Sequence, residues 1–162
     1  MNKLGIVALT VLLAGCSGNA EVPRAAESVS SSARVDSSLS SYQAADKIRG
    51  KIPEVTQLIA LNEDNDANQL IGRPNGYTAA TAIVDSRGKC PNDGPGVDCG
   101  ATVEQWPDQA GAQRRADYLQ KMKQAMPIAG TEWTTVQGPL LLRVTGKLKP
   151  SVAKTYQDAF SS

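Results

Sequence analysis

The sequence predicts an α+β fold: one small domain in which an antiparallel or mixed sheet of about four strands packs with helices, in the order α-β-β-β-α-β-α, with one disulfide. Three observations carry this. Short runs rich in β-branched and apolar residues, Val55 to Leu61, Tyr77 to Asp85 and Leu140 to Val144, read as strands. Stretches with apolar residues every three or four positions read as helices at both ends of the folded part and between its third and fourth strands. Three strands precede the middle helix without an intervening one, which suggests a meander followed by a helical crossover, with the helices on one face of the sheet.

The chain opens with a leader. Lys3 precedes the run Leu4 to Leu13, which holds no acidic residue and at about ten residues is half of what spans a bilayer core. A positive start and a short apolar run are expected of a signal peptide over residues 1–15. It ends in Leu13-Ala14-Gly15-Cys16, which resembles the bacterial lipobox: a branched apolar residue, two small residues, and the cysteine that takes diacylglycerol before cleavage. Cys16 is thus expected to carry fatty acyl chains such as palmitate, two or more of which suffice for stable anchoring. The expected location is extracytoplasmic, with the membrane as partner through the lipid.

From Ser17 to Ser38 the sequence is rich in Ser, Ala and Glu and poor in large apolar side chains. Such a segment buries too little to offset its ordering entropy. Residues 16–38 are read as lipidated cysteine and tether, and residues 39–162 as the domain.

In the domain, Leu39, Tyr42, Ala45, Ile48 and Ile52 keep a helical spacing, stopped at Pro53. Val55 to Leu61 and Tyr77 to Asp85 follow as strands, joined by the polar Asn62 to Asn68 stretch and a Gly72-Arg73-Pro74-Asn75-Gly76 turn. Ala101 to Trp106 is the third strand. Pro107 and Asp108 suit the start of a helix, whose Ala112, Ala116, Leu119, Met122 and Met126 share a face up to Pro127. Glu132 to Gly146 reads as one last strand, bent or bulged at Gly138-Pro139. Pro150 opens a terminal helix that docks through Val152, Ala153, Tyr156, Ala159 and Phe160.

With Cys16 given to lipid, Cys90 and Cys99 remain as a single pair in an oxidising compartment, around a turn-rich loop, and are expected to be bonded. Their spacing is not that of a CxxC redox pair, and no histidine is present to complete a zinc site.

Three ordered blocks carry a resemblance covering Leu61 to Phe160. Glu63-Asp64-Asn65-Asp66-Ala67-Asn68-Gln69-Leu70-Ile71-Gly72-Arg73-Pro74-Asn75-Gly76-Tyr77-Thr78 resembles the EDxDPNxLLGRPxxYT segment of a family of cell-envelope lipoproteins from Gram-positive bacteria of actinobacterial and Firmicutes type. Gly100 to Trp106 resembles that family's GGTVEVF strand. Leu140 to Val144, with Lys149-Pro150 and Tyr156, resembles its LLRV, LTP and terminal helix. Ala67 stands where the family often has proline, and Lys149 where it has a capping threonine. The resemblance implies the same fold and location; the family brings no activity with it.

The chemistry-bearing residues gather in the loop after the first strand. Asp64, Asp66 and Asn68 have the alternation by which a calcium loop presents its first oxygens, but Gln69 replaces the glycine and Asn75 the bidentate glutamate, so the EF-hand reading fails. A looser calcium site there competes with a purely structural role, in which Asp and Asn accept backbone N–H groups in turns. The loop exceeds what a hairpin needs, and long ordered loops are where binding sits. Glu63, Asp64, Asp66, Asn68, Arg73 and Tyr77 are therefore the candidate contact residues for an envelope protein or wall polymer. Ser151-Val152-Ala153-Lys154 matches S-x-x-K but lacks the partner motifs of penicillin-recognising enzymes, and is explained by a helix start. Without histidine, Ser-His-Asp and Cys-His catalysis are excluded. Glu63 and Asp64 are adjacent carboxylates, which do not by themselves flank a scissile bond. No catalytic residue is assigned, no cofactor motif is found, and with Lys3 removed sixteen basic residues face sixteen acidic ones, so a nucleic-acid footprint is lacking. Arg73 and Arg143 suit either an anionic ligand or ion pairing; Trp106 and Trp133 suit either a sugar ring or the core. The expected function is a non-enzymatic interaction module of the envelope; the alternatives are a wall-polymer hydrolase using the loop carboxylates and a calcium-stabilised structural lipoprotein.

Overall fold

The structure is a computed structural model and describes residues 39–92, 94–126 and 131–162. The expected signal peptide, Cys16 with its lipobox, the tether to Ser38, and the helix stop at Pro127 lie outside the described residues. Among those described, no helix is long and apolar enough to cross a membrane.

The domain is α+β, with five antiparallel strands and three α-helices among the described residues. Helix α1 (Ser41–Arg49) starts at Ser40, whose hydroxyl accepts from the Gln43 N–H while the Gln43 side chain accepts from the Ser40 N–H; this reciprocal cap satisfies two of the helix's orphan donors. The cap places the start later than the apolar spacing suggests. Ala45, Ile48 and Ile52 are buried as expected, whereas Leu39 and Tyr42 are exposed. Strand β1 (Val55–Leu61) pairs with β2 (Ala79–Asp85), β2 with β3 (Gly100–Gln105), and after α2 (Gln109–Ala125) the chain forms β4 (Glu132–Gln137), β5 (Leu140–Thr145) and α3 (Pro150–Ser161). The strand order is β1-β2-β3-β5-β4.

Two expectations are corrected. Residues 132–146 are a hairpin, not one bent strand: Gln137 pairs with Leu140, and Gly138, at φ +54°, lets the chain reverse in two residues. Nor are the helices on one face. α1 and α3 cover the face bearing Ile83, Val103, Leu142 and Val144, with Ile48, Tyr156 and Phe160 packed against it. α2 covers the other, where Ala112 and Ala116 meet Leu141, Ala82 and Trp106. The face of α2 fades along its length: Leu119 and Met122 are half-buried and Met126 is exposed.

Cys90 and Cys99 are bonded, with Cα atoms 4.1 Å apart. The bridge closes the β2–β3 connection just ahead of β3, whose first residue, Gly100, follows Cys99.

Candidate functional site

The β1–β2 connection, residues 62–78, is built from its polar residues outward. Asn62 Oδ1 accepts from the N–H groups of Asp64 and Asn65, and Asn65 Oδ1 accepts from the Asn62 N–H at 2.7 Å. This fixes the departure from β1. Asp66 then turns inward: one carboxylate oxygen accepts from the Asn68 N–H at 3.0 Å and the Tyr77 hydroxyl at 2.5 Å, the other from the N–H groups of Leu70 at 2.8 Å and Ile71 at 3.2 Å. Burial alone would raise the Asp66 pKa, but the Tyr77 hydroxyl and these N–H groups outweigh it and hold the carboxyl below its usual range. Burial and the neighbouring Asp66 push the Tyr77 phenol far up, so it remains a donor. Two glycines close the loop. Gly72 takes φ +73° beside the Glu63 carboxylate, and a Cβ on Gly76 would stand 1.9 Å from the Leu70 carbonyl oxygen, so the two arms of the loop approach where only glycine fits.

The loop continues into the domain through charge. Asn68 donates to the Tyr77 hydroxyl and accepts from Arg115 of α2 at 3.1 Å. Arg115 lies 3.7 Å from the fully buried Glu104 of β3. Glu104 accepts from Arg143 of β5 at 2.6 Å and from the Trp106 indole at 3.1 Å, and Arg143 makes two further bonds of 2.8 Å to Glu132 of β4. Desolvation lowers the Arg143 pKa, yet its carboxylate partners dominate and raise it. Trp106 meets Tyr77 edge to face, ring centroids 5.7 Å apart.

Of the candidate contact residues, then, Asp66, Asn68 and Tyr77 are brought together and hold the loop, while Glu63, Asp64 and Arg73 lie exposed on its outside. Among the described residues no three Asp, Glu, Cys or His side chains are grouped to hold a metal ion; the oxygens of Asp66 and Asn68 are engaged by donors of the protein itself. Arg143 is an ion-pair partner and Trp106 a core residue, both buried; Trp133 is half-buried at the edge strand. Ser151 lies in the first turn of α3 and Lys154 pairs with Asp158, which is the helix-start explanation of S-x-x-K.

Glu104, Glu132 and Arg115 were not singled out from the sequence. The signal was there for the first: a glutamate inside GATVEQ and an arginine inside LLLRVT are charges in otherwise buried strands, and such charges need partners. The register sets Arg143 opposite Thr102, one diagonal step from Glu104. Between the loop and α2 lies an open groove of about 550 Å³ lined by Asn68, Leu70, Asn75, Trp106, Arg114, Arg115 and Tyr118. A second cavity, about 300 Å³, lies between α2 and β4 near Lys123 and Trp133. No family model, curated protein or solved structure matches this chain.

Proposed function

We propose that the chain is an extracytoplasmic lipoprotein, anchored through acylated Cys16, whose domain is a non-enzymatic interaction module of the cell envelope. The loop of residues 63–77 is its contact surface and an envelope protein or wall polymer its partner. One observation carries this reading: the loop is held from within, by four donors on Asp66 and by Asn68 on Arg115, so its outward residues Glu63, Asp64 and Arg73 are presented without needing to satisfy the loop themselves. A surface ordered before contact loses less entropy on binding. The leader, the lipobox and the resemblance to envelope lipoproteins support the location.

The hydrolase alternative requires two carboxylates facing each other across a cleft. Glu63 and Asp64 line neither cavity. The test is crosslinking and pull-down from intact envelopes, wild type beside Asp64→Ala combined with Arg73→Ala, both exposed positions. Loss of a wild-type partner from the variant supports the reading; identical profiles count against the loop, and turnover of purified wall polymer by the wild type replaces it with the hydrolase.

A further inference from the structure

We propose that the groove between α2 and the β1–β2 loop is a binding subsite for an anionic hexopyranose, with the sugar ring against Tyr118 and its carboxylate or phosphate on Arg114. This deepens the interaction-module reading and rests on it, since it names the ligand class taken beside the loop.

Charge comes first. The groove-lining Arg115 is matched by the buried Glu104, which with Arg143 and Glu132 completes a neutral quartet whose other three members do not line the groove. Arg114, next to Arg115 on the groove wall, is exposed and makes no ion pair among the described residues. It is the uncompensated cation of the groove, and a guanidinium matches the planar, paired oxygens of a carboxylate or phosphate. Asp108, six residues earlier, is committed to capping α2, where its side chain accepts from the Gly111 N–H.

The apolar part comes from Tyr118. It is 51 % exposed although aromatic, and Arg115 holds its guanidinium carbon 5.6 Å from the ring centroid. The ring is thereby placed by a cation–π contact, while half of the residue's surface still faces solvent. An ordered, half-exposed tyrosine in an open groove suits the flat apolar face of a pyranose, a ligand with one apolar side and a polar perimeter. Asn75, at φ +63° in the loop, makes no side-chain hydrogen bond among the described residues and brings an amide donor and acceptor for ring hydroxyls. The groove's volume falls in the range of small-ligand sites, about 300–1,000 Å³.

The test is calorimetric titration of the full chain with glucuronate, α-glucosyl phosphate, glucose and inorganic phosphate. We expect at least one anionic sugar to bind about tenfold or more tighter than both glucose and inorganic phosphate, the better of the two showing whether a carboxylate or a phosphate is preferred. Arg114→Gln should weaken that binding about tenfold without changing the response to glucose, Tyr118→Ala should weaken it similarly, and Tyr118→Phe should retain it. Both positions are exposed, and unchanged melting certifies the fold. Binding of inorganic phosphate as tight as that of the sugars and indifferent to Tyr118→Ala would reduce the groove to a cationic patch and overturn the proposal, as would no sugar binding by the wild type. These outcomes are separate from the loop reading, whose Asp64 and Arg73 variants leave the groove residues in place: loss of partner capture there with no sugar binding here refutes only the groove.

Discussion

Replacing Asp66 by asparagine should release the β1–β2 loop while leaving the sheet intact. The carboxylate is 4 % exposed and accepts from three backbone N–H groups and one hydroxyl. A hydrogen bond to a charged group contributes about 1.5–3 kcal/mol, so four would total far more than the net effect if they added; they share two oxygens and do not add. The substituted amide would keep one acceptor oxygen and turn an NH2 toward either the Leu70 and Ile71 donors or the Tyr77 and Asn68 donors. Losing the charge and one acceptor should cost about 2–4 kcal/mol. That is a sizeable part of the stability of a domain of this size, about 5–15 kcal/mol. Hydrogen exchange read by NMR separates loop from sheet: the Asn68, Leu70 and Ile71 amides should lose protection in the variant while those of Ile83 and Val103 keep most of theirs. The pH dependence follows with a definite sign. Asp66 and Asp85 both have folded pKa values below their usual range, Asp85 because bonds from Arg87 and Tyr156 outweigh its burial. The unfolded chain therefore binds more protons as pH falls through the usual carboxylate range near ~4. Their stabilisation is complete above that range and is lost as pH falls through the lowered folded values. Asp66→Asn should thus flatten the acid limb of the wild-type stability curve. An unchanged urea midpoint and unchanged Leu70 and Ile71 protection would refute the view that this carboxylate holds the loop.

Reducing the Cys90–Cys99 bridge, or replacing both cysteines by serine, should cost about 2–3 kcal/mol, the chain-entropy value for so short a loop; denatured, unreduced protein that titrates with two free thiols would contradict the bond. Arg143→Met should destabilise by about 3–5 kcal/mol in urea unfolding because it leaves the fully buried Glu104 with only the Trp106 indole and the 3.7 Å Arg115 contact, whereas Arg143→Met combined with Glu104→Leu should recover most of the loss; a double variant as unstable as the single would refute the pairing. Mass spectrometry of membrane-extracted protein should find an acylated Cys16 at the mature amino terminus, and a Cys16→Ser variant that stays equally membrane-bound would contradict the anchor.

The elements were legible where local chemistry decides them. β1 has the bounds its β-branched run implies, and α3 begins at Pro150, whose fixed φ suits a first turn. The β4–β5 hairpin was missed because Gly138-Pro139 lacks the Asn-Gly or Asp-Gly sequence that marks a two-residue reversal, and because the Leu-rich run beyond it reads as a continuation of the same strand. The two-sided covering of the sheet was written in the sequence but not taken up. The Leu140-Leu141-Leu142 run of β5 lacks polar alternation, the mark of a strand with both faces covered, whereas β3 alternates Ala101, Thr102, Val103 and Glu104 and is buried on both faces all the same. In the loop, the role of Asp66 as an acceptor of backbone N–H groups followed from Asx chemistry. Its bond to Tyr77, eleven residues on, did not, since only the fold brings the two together. For the same reason Glu104 found no partner in a linear reading, with Arg143 thirty-nine residues away.

The buried charges make sense as the means by which the loop is oriented. Hydrophobic residues of similar volume could fill the space of Glu104 and Arg143 with little loss of stability, since such replacements of buried ion pairs are often neutral or stabilising. They could not reach the surface. Asp66 orders the loop internally, and Leu70 and Ile71 attach it to the apolar layer beneath α2, but apolar contact is non-directional and leaves the loop's tilt undetermined. The directional contact is the hydrogen bond from Arg115 to Asn68, and the charge attraction between Arg115 and Glu104 continues it from the helix to the centre of the sheet. The Arg115–Glu104 step is the weaker: the separation is 3.7 Å and the Arg115 Nε is buried without a hydrogen-bond partner, so attraction there is coulombic. In a site shielded from water that attraction still acts, and it draws Arg115 toward the sheet while leaving its outer nitrogen on Asn68. The exposed loop residues are thereby referred to the central strand of the sheet, and a site set on a regular element is held more closely than one on a loop alone.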